Sequence, residues 1–210
     1  MKKLLLVLLF VTTFGYAGQC DNLYPNSQPI TVKGTVELCN SFYVSLFDKE
    51  HQRVILASEH LKPNKNTVPR KDAFHSDDRI GKNPSPSQYV NTGFDKGHVV
   101  PAGDASSEQE MFETFLMTNM TPQEPTLNRK AWRLLEAKVR DQLSNSKDDF
   151  YILNIVVYSD NKMMGTIPVP TGYWKVVTHG TSAEYYYADN KPEAPVITKP
   201  RVEISSLLPQ

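Results

Sequence analysis

Residues 93–105 read Gly93-Phe94-Asp95-Lys96-Gly97-His98-Val99-Val100-Pro101-Ala102-Gly103-Asp104-Ala105. One histidine, His98, follows directly on Asp95, Lys96 and Gly97, in what reads as a tight turn. Histidine is the side chain whose proton equilibrium lies nearest neutral pH. The Asp95 carboxylate is close enough in sequence to fix the imidazole tautomer, and Gly97 lets the backbone approach closely. Together they outline a general base for a water molecule, with a cation beside it. The other histidines (His51, His60, His75, His179) lack such surroundings and read as surface or core residues.

Upstream of this stretch the chain is strand-like. Ile30–Leu38, Ser41–Phe47 and Arg53–Ala57 are rich in branched and aromatic residues, with a charged turn at 48–52. A polar segment follows from Lys62 to Tyr89, rich in Pro, Asn, Ser and Lys. A loop of that length leading straight into His98 points to function. Downstream, Ser107–Thr114 reads as a short helix and Phe115–Met120 as a brief strand, broken by Pro122 and Pro125. Asn128–Leu143 is the clearest helix, because Trp132, Leu135, Val139 and Leu143 recur at three- and four-residue steps. Phe150–Val157, Gly172–Val177 and Ala183–Ala188 complete the strands, and the Pro-rich tail from Asn190 reads as extended. Strands and helices mixed without regular alternation predict an α+β fold with a largely antiparallel sheet.

The long helix places two polar residues together. Asn128 and Glu136 are eight residues apart, which at about 100° per residue leaves their side chains only about 80° apart. Taken singly, Asn128 reads as a helix cap and Glu136 as an exposed helix glutamate. Asn119 lies among apolar neighbours, so it is expected to be semi-buried and in need of partners. Arg70 on its own reads as a surface arginine.

Composition narrows the class. The chain has 210 residues, and 23 basic side chains balance 23 acidic ones. This is no polybasic surface, so nucleic-acid binding would have to rest on a local basic groove. Lys2 and Lys3, an apolar run at 4–11 and the small-residue end Gly15–Ala17 predict a signal peptide over residues 1–17. The mature part, 18–210, is read as one domain, exported to the periplasm or beyond, with no later segment apolar enough to cross a membrane. In an exported chain the two cysteines, Cys20 and Cys39, are expected to form a disulfide.

These pieces, taken in order, resemble the DNA/RNA non-specific endonuclease family, whose site is a ββα-metal finger. The matching residues are Asp95-Lys96-Gly97-His98, Asn119-Met120-Thr121-Pro122-Gln123, Asn128-Arg129-Lys130-Ala131-Trp132, and Glu136. The resemblance spans about residues 32–190 and also covers Leu38–Tyr43, Ser58–Leu61 and Val169–Val177. It implies that His98 is the general base and Asn128 the sole direct protein ligand of a magnesium ion, with manganese as a substitute. Glu136 would hold metal-bound waters, Asn119 would position the site, and Arg70 would grip phosphate. The implied reaction is hydrolysis of DNA and RNA to 5′-phosphate and 3′-hydroxyl ends. The family usually has arginine where this chain has Lys96. Lysine keeps the charge and loses the two-pronged grip on phosphate. Two alternatives stay open: a metal-dependent phosphodiesterase on another substrate, and a catalytically inactive nucleic-acid-binding relative. A homodimer would need an apolar patch that the sequence does not locate, and inhibitor proteins leave no signature in it.

Overall fold

The computed structural model describes residues 18–63 and 67–209, so the expected signal peptide lies outside the described residues. Three strands come first: β1 (Thr35–Cys39), β2 (Tyr43–Asp48) and β3 (Arg53–Leu61). After a long loop come β4 (Asp95–His98), helix α1 (Glu108–Thr114) and β5 (Met120–Gln123). A π-helical turn, Leu127–Trp132, then runs into α2 (Arg133–Ser144). β6 (Phe150–Val157), the short pair β7 (Met163–Met164) and β8 (Ile167–Pro168), and β9 (Gly172–His179) follow. β10 (Ser182–Asp189) and β11 (Ile197–Lys199) close the chain.

Seven strands form one sheet in the order β1-β2-β3-β6-β9-β10-β11. Every pairing in it is antiparallel. The architecture is α+β, as the mixed pattern predicted. The two-residue alternation of a strand decides the faces. On β6, Phe150, Ile152 and Val156 enter the main core, while Leu153 and Ile155 point to the opposite face. The main core receives the π-helical turn through Trp132 and α2 through Leu135, Val139 and Leu143, the four residues whose spacing predicted the helix. Each such side chain contributes about 1.5–3 kcal/mol by leaving water.

Four expectations need correction. Asp95–His98 is a strand, not a turn, and it pairs antiparallel with β5, Gly97 opposite Thr121 and His98 opposite Met120. The glycine is needed for close approach: a Cβ at Gly97 would lie 3.0 Å from Cδ of Gln123 and closer still to its Oε1 and Cβ. Asn128 is not a cap. The long helix starts earlier, and Glu124 caps it, its Oε2 accepting from the Leu127 amide at 2.9 Å. Residues 117–119 form a 3₁₀ turn, and the strand that follows runs past Pro122 to Gln123. Pro122 is tolerated because β4 and β5 form a sheet of only two strands. Finally, the Pro-rich tail is not merely draped over the surface. Ile197–Lys199 pairs with Tyr185–Tyr187 as the seventh strand, and Val202, Ile204, Leu207 and Leu208 cover the back face beside Ile30 and Val32.

The long loop is tied down along its middle, at residues 75–79. Buried Asp77 accepts from Arg79 Nη2 and Thr118 Oγ1, both at 2.7 Å. Arg79 in turn donates to the carbonyl of Cys39 at 2.5 Å. The His75 amide donates to the Phe115 carbonyl, and the His75 carbonyl accepts from the Met117 amide. Cys20 and Cys39 form the expected disulfide, which anchors the N-terminal arm to β1.

Candidate active site

β4, the π-helical turn and α2 line one side of a cleft of about 560 Å³, with β5 paired to β4 behind them. The long loop builds the other. Arg70, Lys96, His98, Asn128 and Glu136 all line this cleft. Residues of the long loop, of β4 and of the helical run therefore share one space.

His98 ends β4 with its ring against Phe115, edge to face at 4.8 Å, and Phe74 at 5.8 Å. Among the described residues neither ring nitrogen has a hydrogen-bond partner, and Nε2 is buried. Nδ1 is thus the nitrogen left to reach the cleft. Burial pulls the imidazole pKa down to about 3, and the nearby Arg70 charge adds to this. His98 is neutral at physiological pH, the state a proton acceptor requires.

Asp95 does not touch His98, contrary to the expectation that it fixes the tautomer. It faces the helix instead. Its Oδ2 accepts from Asn128 Nδ2 at 2.9 Å and from Arg129 Nε at 2.8 Å, and its Oδ1 accepts from Arg129 Nη2 at 2.5 Å. Burial raises the Asp95 pKa, but those hydrogen bonds and the charges of Arg129 and Lys96 outweigh it and hold the carboxyl below its usual value. The amide geometry matters: with Nδ2 committed to Asp95, Asn128 keeps Oδ1 free for the cleft. Glu136 stands two turns along the same helical run. Burial raises its pKa to about 7; the Lys175, Arg140 and Arg70 charges oppose this and Asp104 adds to it.

Asn119 does not line the cleft. It is fully buried behind it, where Oδ1 accepts from the Val100 amide and Nδ2 donates to the carbonyls of Val100 and Thr114, all at 2.9 Å. It ties the backbone just past His98 to the end of α1, a positioning contact. Lys96 Nζ lies 4.8 Å from the Phe74 ring centre and 5.9 Å from that of Tyr89. Two aromatic faces thus hold the ammonium in place of a planar fork.

Sequence reading missed three cleft arginines, Arg129, Arg133 and Arg140. The signal was present, since Arg129, Arg133, Glu136 and Arg140 are spaced at four, three and four residues, a single helix stripe. Lys175 was also missed. It is buried on the front of β9 and donates to Asn154 Oδ1, while Asn154 Nδ2 donates to Glu59 Oε1 at 2.5 Å. Its Nζ lies 5.8 Å from the Trp132 ring, under the helix that carries Glu136. A lone lysine in a β-strand carries no local mark of such a place.

The fold and this site define a family. Residues 21–207 match the model of the DNA/RNA non-specific endonucleases, and the chain belongs to that family. It is 30% identical over 205 aligned positions to nuclease C1 of Cunninghamella echinulata var. echinulata, covering 83% of this chain and 80% of that protein. It is 35% identical over 94 residues to a nuclease of Nostoc sp., covering 44% of this chain but only 34% of the relative. The match to human mitochondrial endonuclease G is 30% over 116 residues, 52% of this chain and 39% of that one. The chain therefore spans well under half the length of some of the relatives it matches. A solved EndoG/EndoGI complex, which addresses EndoG inhibition, contains a chain with the same fold. Its TM-score is 0.66 at 25% identity, over 83% of this chain and 80% of that one.

Proposed function

We propose that this chain is an exported, sugar-non-specific endonuclease that hydrolyses phosphodiester bonds in DNA and RNA. One observation carries the reading: a neutral imidazole, a free amide oxygen and a carboxylate share a cleft with five cations, Arg70, Lys96, Arg129, Arg133 and Arg140. Zero net charge over the chain leaves room for a local basic groove, although three of these cations carry carboxylate partners: Arg70 pairs with Asp72, Arg129 with Asp95 and Arg140 with Asp104.

His98 takes a proton from a water molecule placed opposite the leaving oxygen. The water oxygen bonds to phosphorus, the P–O3′ bond breaks, and the leaving oxygen takes a proton from solvent water to become the 3′-hydroxyl. The phosphate stays on the 5′ side. Arg70 and Lys96 stabilise the charge that grows on the phosphoryl oxygens. The donor set suits a hard divalent cation: one amide oxygen, Asn128 Oδ1, and one carboxylate, Glu136, leave room for several waters. When bound, Mg²⁺ (or Mn²⁺) supplies charge neutralisation at phosphorus and at the leaving oxygen. Asn128 would hold it directly and Glu136 through water. Contacts to phosphates carry little base information, so cleavage is non-specific and falls steeply with salt.

The signal-like residues 1–17 and the Cys20–Cys39 disulfide support export to an oxidising compartment. A DNA and RNA gel zymogram tests the reading, run with EDTA and then with Mg²⁺ restored, beside His98→Ala. Cleavage that needs metal and is lost in the folded variant supports it. Metal-independent cleavage refutes the Asn128 role, and substantial residual activity in His98→Ala refutes the base. Inactive wild-type protein on both nucleic acids, with turnover of a chromogenic phosphodiester, would replace it by the phosphodiesterase alternative.

A further inference from the structure

The cleft wall has a second side. Along the chain from Val68 to Lys71, Val68 and Arg70 line the cleft, while Pro69 and Lys71 line a neighbouring apolar hollow of about 200 Å³. Ala73, Glu108, Met111 and Phe112 complete the hollow, and Met111 lines both spaces. The two sites are therefore contiguous, divided by one stretch of backbone.

One lining residue of the hollow, Phe112, presents an aromatic ring. Phe112 is 50% exposed, the sole aromatic among the exposed large hydrophobics of the described residues. One face of its ring stacks on His75, with centroids 3.9 Å apart and planes 22° apart. His75 is itself fixed: Nδ1 bonds to the Ala73 carbonyl at 2.5 Å, and its backbone bridges to Leu116. A rigid imidazole under one face of Phe112 leaves the other face for a ligand, at low entropic cost. At the rim the Lys71 ammonium sits 2.9 Å from Glu108 Oε1.

We propose that this shelf is a stacking subsite for a nucleobase of the substrate strand next to the phosphate held by Arg70. The inference rests on the nuclease reading. A flat ring binds any base through its π-face, so the shelf adds affinity without sequence preference. It can engage a base only when that base is unstacked, so it favours single strands and frayed or bulged sites over uninterrupted duplex.

The test measures binding by fluorescence anisotropy in the cleavage-deficient His98→Ala background. The probes are a labelled oligothymidylate and a blunt hairpin duplex of equal phosphate count. Base–aromatic stacking is worth about 1–3 kcal/mol, so adding Phe112→Ala should weaken oligothymidylate binding by about 5- to 150-fold. The duplex should change by less than about twofold, and the melting temperature should hold. Phe112→Trp should restore affinity, and its indole emission should be quenched on adding the oligonucleotide. Unchanged oligothymidylate affinity, or an equal loss on both probes, overturns the shelf. That result leaves the nuclease reading intact provided wild-type protein cuts DNA in the zymogram. Absence of cleavage there sinks the nuclease reading itself, and the shelf with it.

Discussion

Asp95→Ala separates a metal-orienting carboxylate from a merely structural one. The substitution removes three hydrogen bonds: two from Arg129, whose side chain is 68% exposed, and one from Asn128. An exposed ion pair contributes about 0.2–1 kcal/mol, and a hydrogen bond to a charged acceptor about 1.5–3 kcal/mol. The partly buried Asn128 contact falls at the low end, so the loss of stability is about 2 kcal/mol. For a chain of this size that lowers Tm by about 4–8 °C. The functional loss differs in kind. Without Asp95 the Asn128 amide can rotate or flip, and removing such a supporting partner costs about 10- to 100-fold in metal affinity. The assay is initial cleavage rate against Mg²⁺ concentration, well below the variant's melting range. The half-saturating Mg²⁺ should rise 10- to 100-fold, with most of the maximal rate recovered at saturation. Asn128→Ala should not recover. An unchanged Mg²⁺ midpoint with a depressed maximal rate would refute the reasoning, since Asp95 would then act on the reacting groups directly.

Four further outcomes are expected. Glu136 and His98 oppose each other in their pH linkage. The folded state binds the Glu136 proton more tightly, with a pKa raised from 4.5 to about 7, so this group lowers stability as pH rises through that window. The folded state binds the His98 proton less tightly, with a pKa lowered from 6.5 to about 3, so stability from this group is lost as pH falls through that range. Between pH 4.5 and 6.5 the two slopes offset each other; melting curves of Glu136→Gln should rise with pH there and those of His98→Ala should fall, and parallel curves would contradict both assignments. Gly97→Ala should destabilise by about 1–3 kcal/mol through overpacking against Gln123 and displace His98; a denaturant midpoint within error of wild type would show that β5 yields freely. Cys39→Ser opens a link between residues 19 apart in sequence and should cost about 3 kcal/mol on the loop-entropy model while leaving the rate constant near wild type at low temperature. Lys96→Arg should keep or raise turnover, since a guanidinium can also stack on Phe74; a dead variant would mean the compact ammonium is itself required.

The sequence alone determined the features with a local physical signature. The α2 face was legible because helical burial imposes a three- and four-residue apolar step, and β6 was legible because a buried strand is continuously apolar. Asp95, His98, Asn128 and Glu136 were legible as a set because each keeps its place within a short motif. Tertiary structure decided everything that depends on which surfaces meet. It turned the expected Asp-x-Gly-His turn into a strand, because β5 was there to pair with it. It took Asp95 from His98 and gave it to Asn128, since residues three apart on a strand face opposite ways. It drew Ile197–Lys199 into the sheet because the exposed edge of β10 offered partners. It also buried Lys175 beneath Trp132 and set Phe112 on His75. A chain records periodicity over a few residues; contacts between residues dozens apart are fixed only when the packed layers choose which side chains share a space.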